Sequence, residues 1–271
     1  MTQEELALFN EFFAQRFGLF FPDHKREILE SRLVPRLRAL HLQRFLDYYL
    51  LLQYDLAREI EALTRAITNN ESYFFRETGQ FDALVDHLNA AHDTGARWSD
   101  PRVLSAGCSS GEEAYSLNIA LRERVANDRL GGLRIDGVDL DSERVEMARI
   151  GAYRRMSLRA LDDERIRRYF EIQGDERFVL RPQHRLDVQF RSGNILDESL
   201  ARYGQYDVVF CRNVLIYFSE AALKRAIENF ATVVRPGGLL FLGHSESIIG
   251  LTSLFRAERL GQTIAYRRVE P

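Results

Sequence analysis

Residues 106–118, AGCSSGEEAYSLN, run a small-residue turn straight into two adjacent carboxylates. Gly107 and Gly111 let backbone approach a ligand closely, as nucleotide-binding turns do. Glu112 and Glu113 then open a helical pattern, where a helix start would otherwise favour a phosphate. Two acids at that point compete with a pyrophosphate, and neither G-x-G-x-x-G nor G-x-x-x-x-G-K-[ST] is present. The ligand that suits the pattern has an adenosine body, no phosphate and net positive charge. S-adenosylmethionine meets those terms, because it carries an ammonium, a sulfonium and one carboxylate. The plain alternative for one of the two glutamates is that it only complements the helix dipole.

A second acid supports this ligand. IDGVDLD places Asp139 at the end of a strand-like run, where a carboxylate can accept both ribose hydroxyls of an adenosine. Asp141 reads as the cap of the helix that follows in DSERVEM. Further on, Arg212 and Asn213 leave the carboxyl end of the apolar run in YDVVFCRNVLIYF, the end at which open sheets bind ligands. Arg212 or Arg76 can hold a carboxylate by a charge-assisted bond. The residues show no Ser-His-Asp or Cys-His set, and the six histidines show no metal-ligand spacing, so no metal site is expected. His244, in GHSES, reads as a satisfied structural histidine.

These groups need an architecture to position them. The first ~90 residues show helical periodicity alone, as in Leu6, Phe9, Phe13 and Phe17. Leu29, Leu33, Leu37 and Leu40 repeat it, with Pro35 marking a kink or restart. Leu56 to Ile67 is a further helical stretch. From Pro101 the texture changes to short apolar runs, RVLSAG, LRIDGVDL, YDVVFC and GLLFLG, separated by helical patterns at residues 112–125, 142–150 and 220–233. Strands alternating with helices predict βαβ units and a mainly parallel sheet, an α/β fold. YFEIQGDERFVLRPQHRLDVQF breaks the rhythm and reads as a small antiparallel insertion of three strands. NDRLGGLR reads as a loop.

The chain has 271 residues, 45% hydrophobic and 28% charged, with net charge -3. That balance is ordinary for a globular protein and does not indicate a nucleic-acid binder. The start, MTQEELALFNEFF, lacks the basic flank of a secretory signal. No apolar run reaches the about 20 residues that span a bilayer. Cys108 and Cys211, the two cysteines, predict buried thiols in a reducing cytoplasm rather than a disulfide framework.

Taken in order, TNNESYFFRE, AGCSSGEEAYSLN, GVDLD, NILD, FCRNVLIYF and PGGLLFLGHSES resemble the CheR-type chemoreceptor glutamate methyltransferases over nearly the whole chain. The resemblance implies a class I S-adenosylmethionine-dependent (Rossmann-like) methyltransferase domain with a small antiparallel β insertion, preceded by an all-α N-terminal domain. Its expected divisions are a receptor-docking domain at 1–75, a linker helix at 76–95 and the methyltransferase domain at 96–271, with the insertion at about 170–190. The implied cofactor is S-adenosylmethionine, with S-adenosylhomocysteine as product. Its implied contacts are Asn70, Ser72 (threonine in many members), Arg76, the acids Glu112 and Glu113, Asp139, Asn194, Ile195, Arg212 and Asn213, beside Gly107 in the turn. Which of the two glutamates makes the contact is open at this level.

The implied substrate is a glutamate on a receptor helix. Its ordinary pKa of about 4.3 makes it a nucleophile at neutral pH without a general base. What remains is placement, for which Arg76, Arg212 and Tyr217 are the candidates. Tyr217 has the competing reading of a core aromatic beside Phe218. Arg32 and Arg36 share one face of a basic stretch, either merely solvated or docking on the receptor's acidic cytoplasmic helical bundle. The compact turn around Gly174 argues against a tether to the receptor's C-terminal pentapeptide. A cytoplasmic bacterial signalling enzyme, monomeric, without nucleic acid or membrane insertion, is the expectation. Its rivals are a methyltransferase of another substrate and a non-catalytic S-adenosylmethionine-binding module.

Overall fold

The computed structural model describes residues 1–93, 100–126 and 130–270. It opens with four helices, α1 (Gln3–Phe17), α2 (Arg26–Ala39), α3 (Phe45–Tyr54) and α4 (Leu56–Ile67). A capping box starts α1: Thr2 Oγ1 accepts the Glu5 N–H, and the Glu5 carboxylate accepts the Thr2 N–H. Phe9, Phe13, Phe17, Leu29, Leu33, Tyr48 and Leu63 meet in one apolar centre, so the helical spacing marks the buried faces. α2 is continuous through Pro35, without the expected restart. Pro35 lies on the exposed face, and Leu33 and Leu37 on either side are packed into the core.

Arg32 and Arg36 do share a face, but it turns inward. Arg32 donates to the carbonyls of Ile67 and Thr68 at the end of α4. Arg36 grips Glu59 of α4 with Nε at 3.0 Å and Nη2 at 2.8 Å, and the Tyr48 hydroxyl donates to the same carboxylate. The expectation of a solvent-facing docking pair is corrected: each guanidinium ties helices of its own domain together. Glu59 is 3% exposed and Arg36 25%. Arg36→Ala strands a buried carboxylate, which costs about 3–5 kcal/mol when both partners are buried. With Arg36 partly solvated, a loss of about 2–3 kcal/mol is expected in urea unfolding. A midpoint equal to wild type would show the pair to be idle.

α5 (Gly79–Asp93) follows, and it belongs to the α/β layers. Phe81, Leu84 and Leu88 are packed into the sheet's core, and Gln80 Nε2 donates to Leu242 O. The expected linker helix runs on to 95 and the expected second domain begins at 96; residues 94–99 lie outside the described residues. So do 127–129 of the NDRLGGLR loop.

The main sheet is built from β1 (Arg102–Ala106), β2 (Arg134–Asp139), β6 (Val188–Ser192), β7 (Tyr206–Cys211), β8 (Val234–Leu242), β9 (Phe255–Leu260) and β10 (Thr263–Arg268). Its order is β6-β2-β1-β7-β8-β10-β9. The first five strands are parallel, and the β9–β10 hairpin closes the far edge antiparallel. Helices α6 (Glu112–Arg124), α7 (Ser142–Ile150) and α9 (Glu220–Val233) connect the strands. This is the α/β architecture expected. β1 lies between β2 and β7, so the chain order reverses there and opens a crevice at the strands' carboxyl ends.

The insertion differs in its boundaries. A three-stranded antiparallel sheet is present, but its members are β3 (Ala152–Tyr153), β4 (Phe170–Gln173) and β5 (Arg177–Leu180), with α8 (Asp163–Tyr169) between β3 and β4. The third piece expected there, residues 188–192, is instead the parallel edge strand of the main sheet, beside β2. Among the described residues, no helix is long and apolar enough to cross a membrane.

Candidate active site

A cavity occupies the crevice, with β1, β2 and β7 beneath it and the segment after α4 above it. It is lined by Asn70, Ser72, Arg76, Gly107, Glu113, Asp139, Asn194, Ile195, Arg212, Asn213 and Tyr217. The sequence proposed these, but not Phe17, Leu19, Phe81, Ser109 or Leu140, which line it as well. Glu112, also proposed, does not line it.

The turn from β1 to α6 sets the floor. Gly107 stands at φ +78°, and a Cβ there would lie 2.4 Å from Val214 Cγ2. The backbone of the turn and the 212–214 corner therefore approach each other closely because the residue is glycine. Gly111, at φ +89°, starts α6 without a side-chain cap. The helix then turns its two acids different ways. Glu113 faces the cavity, where Ser105 Oγ donates to it at 2.7 Å and Arg212 Nη1 lies 3.6 Å away. Glu112 is 1% exposed and points into the protein, toward serines 110 and 157. Adjacent helical residues stand about 100° apart, so one orientation excludes the other. The expected cofactor contact at Glu112 is corrected accordingly.

Asp139 is 7% exposed at the end of β2. Its Oδ2 accepts the Ser109 N–H at 2.7 Å and its Oδ1 accepts the Asp141 N–H at 2.9 Å. Burial pushes its carboxyl up to about 6, against the pull of those two N–H groups. Each oxygen keeps a lone pair for a further donor. Asp141 caps α7 as expected, accepting from Glu143 and Arg144 N–H, and its other oxygen takes Asn70 Nδ2 at 3.0 Å.

Arg212 is the most constrained charge in the site. Its side chain is 2% exposed, lies over the Phe81 ring and sits between Glu77 at 3.4 Å and Glu113 at 3.6 Å. Nη2 donates to Arg76 O at 2.6 Å. Nε and Nη1 are buried and have no hydrogen-bond partner among the described residues. Unpartnered buried donors are rare and call for a ligand or water. Burial pushes the Glu77 carboxyl up, but Arg212, His244 and Arg76 outweigh that and hold it below its ordinary range. His244 is exposed and meets Glu77 through Nδ1 at 2.8 Å, a ring satisfied by a carboxylate at the surface.

Tyr217 is partly buried, packed with Phe218 against the helical core and also lining the cavity. Its hydroxyl accepts Asn69 Nδ2 at 2.6 Å, which leaves its own proton to donate, and Lys25 lies over its ring. Asn194 shapes its own turn, accepting Leu196 N–H through Oδ1 and donating to Arg16 O. Ile195 presents an apolar wall. Asn213 sits at φ +58° because Glu246 collects the N–H groups of Asn213, Val214, Ile216 and Gly243.

Glu77 and Glu246 escaped the sequence reading. Glu246 lies in GHSES, two residues after a histidine of more evident chemistry. Glu77 directly follows Arg76, and nothing in its spacing announces a partner. Cys108 lines the cavity too, but burial pushes its thiol well above the ordinary range, so it is no nucleophile.

Comparison with known proteins agrees with this geometry. Residues 70–264 match the family model described as CheR methyltransferase, SAM binding domain, and residues 4–68 match CheR methyltransferase, all-alpha domain. Chemotaxis protein methyltransferase 2 of Vibrio cholerae is 32% identical over 271 residues, covering 98% of this chain and 93% of that protein. The chemotaxis protein methyltransferase of Salmonella typhimurium is 36% identical over 254 residues, covering 92% and 85%. That of Escherichia coli is 35% identical, covering 92% and 86%. With its helical domain and its α/β domain each matched in full order, the chain belongs to the CheR methyltransferase family.

Proposed function

We propose that this protein transfers a methyl group from S-adenosylmethionine to glutamate side chains of chemoreceptors, forming the methyl esters of sensory adaptation. The observation that carries this reading is Arg212, a buried guanidinium with two unpartnered donors, held between two acids in an adenosine-type crevice. The residues fit the cofactor. Asp139 offers lone pairs to ribose hydroxyls, and Gly107 lines the cavity in a turn drawn close to Val214. The acids Glu77, Glu113 and Asp139 outnumber the cations Arg76 and Arg212, which suits a ligand of net positive charge. Asn70, Ser72, Asn194, Ile195 and Asn213 complete the set that would hold it.

When bound, S-adenosylmethionine supplies an electrophilic methyl on a sulfonium. The chain's own part is placement. The incoming glutamate is already ionised, so no residue need take a proton from it. Tyr217 keeps its hydroxyl proton free to donate to the carboxylate oxygen that does not attack. Arg76, cavity-lining and bonded to Glu71 O, holds the entering charge in line. Docking on the receptor's cytoplasmic helical bundle then rests on the exposed Arg38 of the same basic stretch. Radiolabelled methyl transfer to receptor-containing membranes, giving a base-labile product, is the expected result. Labelling that resists base, or appears on a small molecule alone, would favour a methyltransferase of another substrate.

The β4–β5 turn is compact, so the enzyme works without a C-terminal pentapeptide tether in this proposal. Receptors with and without their last five residues should be methylated at equal rates. A rise in KM on trimming would overturn it, and the open edge of β4 is where the peptide would then pair.

Asp139 gives a test of cofactor binding alone. Asp139→Ala removes charge-assisted bonds worth about 1.5–3 kcal/mol each before compensation. A fall in S-adenosylhomocysteine affinity of roughly a hundredfold is expected by calorimetry. Affinity in the wild type should be flat above neutral pH and fall as pH drops through about 6, because the protonated carboxyl loses acceptor strength. Asp139→Asn should flatten that fall. Unchanged affinity in a folded Asp139→Ala variant would sink the assignment.

A further inference from the structure

We propose that Glu112 is a positioning residue, a buried carboxylate that fastens the 70–76 wall of the cofactor cavity and the turn after β3 to the glycine turn. The inference rests on the reading of the cavity as the S-adenosylmethionine site.

Two segments converge on this one carboxylate. Ser110 Oγ, from the glycine turn, donates to it at 2.9 Å. Ser157 Oγ, from the turn that leaves β3, donates at 3.0 Å, and Ser157 in turn holds the cavity wall through its carbonyl. Both donors are hydroxyls, and neither is a cation. Such a cage orients its members without neutralising charge, which is the signature of a spacer rather than an ion pair. Burial pushes the Glu112 carboxyl up, and its own backbone N–H and the serines partly oppose that.

The backbone repeats the connection. Phe74 N–H donates to Ser157 O at 2.8 Å. Phe75 N–H donates to Ser116 Oγ at 2.9 Å, and Ser116 Oγ donates to Glu112 O at 2.6 Å. Tyr153 of β3 donates its hydroxyl to Ser110 O at 2.8 Å. The wall, the small sheet and the glycine turn are thus one hydrogen-bonded unit centred on Glu112. Asn70, Ser72 and Arg76 line the cavity from that wall. If the wall is loose before the ligand arrives, its ordering cost appears in the binding constant.

The test uses the full chain as Glu112→Ala, Glu112→Gln and Ser157→Ala, with S-adenosylhomocysteine as probe. Glu112→Ala should weaken binding tenfold or more and raise the cofactor KM, with kcat within about threefold of wild type. Glu112→Gln, which keeps the shape and can still meet hydroxyls, should recover most of the affinity. In the double variant Ser157→Ala/Glu112→Ala the losses should be far less than additive. Hydrogen exchange on the free protein should show faster exchange at the Phe74 and Phe75 amides in Glu112→Ala and in Ser157→Ala, with the strands unchanged, and near wild-type exchange in Glu112→Gln. The Ser157→Ala variant keeps the test usable where Glu112→Ala fails to fold. Glu112→Ala with affinity within twofold of wild type, additive losses, or unchanged exchange at 74 and 75 in the alanine variants would each overturn the proposal. A wild type that did not bind S-adenosylhomocysteine would instead overturn the functional reading, and the exchange result would still decide this one.

Discussion

Arg212→Ala is expected to lose both fold stability and cofactor affinity, and Arg212→Lys to recover the first far more than the second. The guanidinium is wedged between Glu77 and Glu113. Its removal leaves two acids facing each other in a cavity, and an uncompensated buried charge costs about 3–5 kcal/mol. Glu77 is a quarter exposed, so a loss of roughly 2–4 kcal/mol is the realistic range. The pH dependence follows in sign. Arg212 lowers the folded-state pKa of Glu77, so its contribution is present above the ordinary carboxylate range and is lost as pH falls through the lowered value. The deficit of Arg212→Ala should therefore shrink on acidification, as the stranded acids take up protons. Lysine restores a charge but not the planar fork, and the unpartnered Nε and Nη1 donors disappear. Methyl transfer should drop by about 10²–10³, the range for removing a donor aimed at charge in an active site. Thermal unfolding at two pH values and calorimetry with S-adenosylhomocysteine read the two effects separately. Arg212→Lys with affinity within threefold of wild type would show that the fork has no ligand.

The same site shows how far residues alone can be read. Groups placed at strand ends by period and turn chemistry were legible: Gly107, Asp139, Arg212 and Asn213 all follow short apolar runs, and all reach the crevice. The α7 cap at Asp141 was legible for the same reason, since capping is local. Orientation about a helix was not. Glu112 and Glu113 have the same chemistry and adjacent positions, and only the left-handed Gly111 start fixes which one faces the ligand. Arg32 and Arg36 were placed on one face correctly, but the face turns inward because Glu59 is buried opposite it. A glutamate on an amphipathic helix gives no local sign of burial. The strand at 188–192 failed differently. Its alternation suits a hairpin arm and a sheet edge equally, and the true third strand of the small sheet, Ala152–Tyr153, has only two residues and no period to detect. Glu246 was invisible because, apart from Gly243, its partners are the backbone N–H groups of Asn213, Val214 and Ile216, at least 30 residues away, a contact that no side-chain pattern encodes.

Gly107→Ala is expected to fold and to lose ligand binding by a hundredfold or more. Two separate costs meet at this methyl. The backbone sits at φ +78°, where an L side chain costs roughly 1–2 kcal/mol. The new Cβ also lands 2.4 Å from Val214 Cγ2. Val214 cannot simply withdraw, because Glu246 holds its N–H together with those of Asn213 and Ile216. The push is therefore passed to the corner that carries Arg212 and Asn213, and the cavity loses its shape where the ligand must lie. Val214 is only partly buried where it packs against the apolar core, so a fall in melting temperature of a few degrees should accompany the loss of affinity. The two costs separate in a double variant. Val214→Ala removes the colliding Cγ2 but leaves φ untouched, so Gly107→Ala/Val214→Ala should regain at least tenfold in S-adenosylhomocysteine affinity over Gly107→Ala. It should remain below wild type by the backbone cost. If Val214→Ala brings no recovery, the close approach of turn and corner does not shape the site, and the glycine serves its backbone conformation alone.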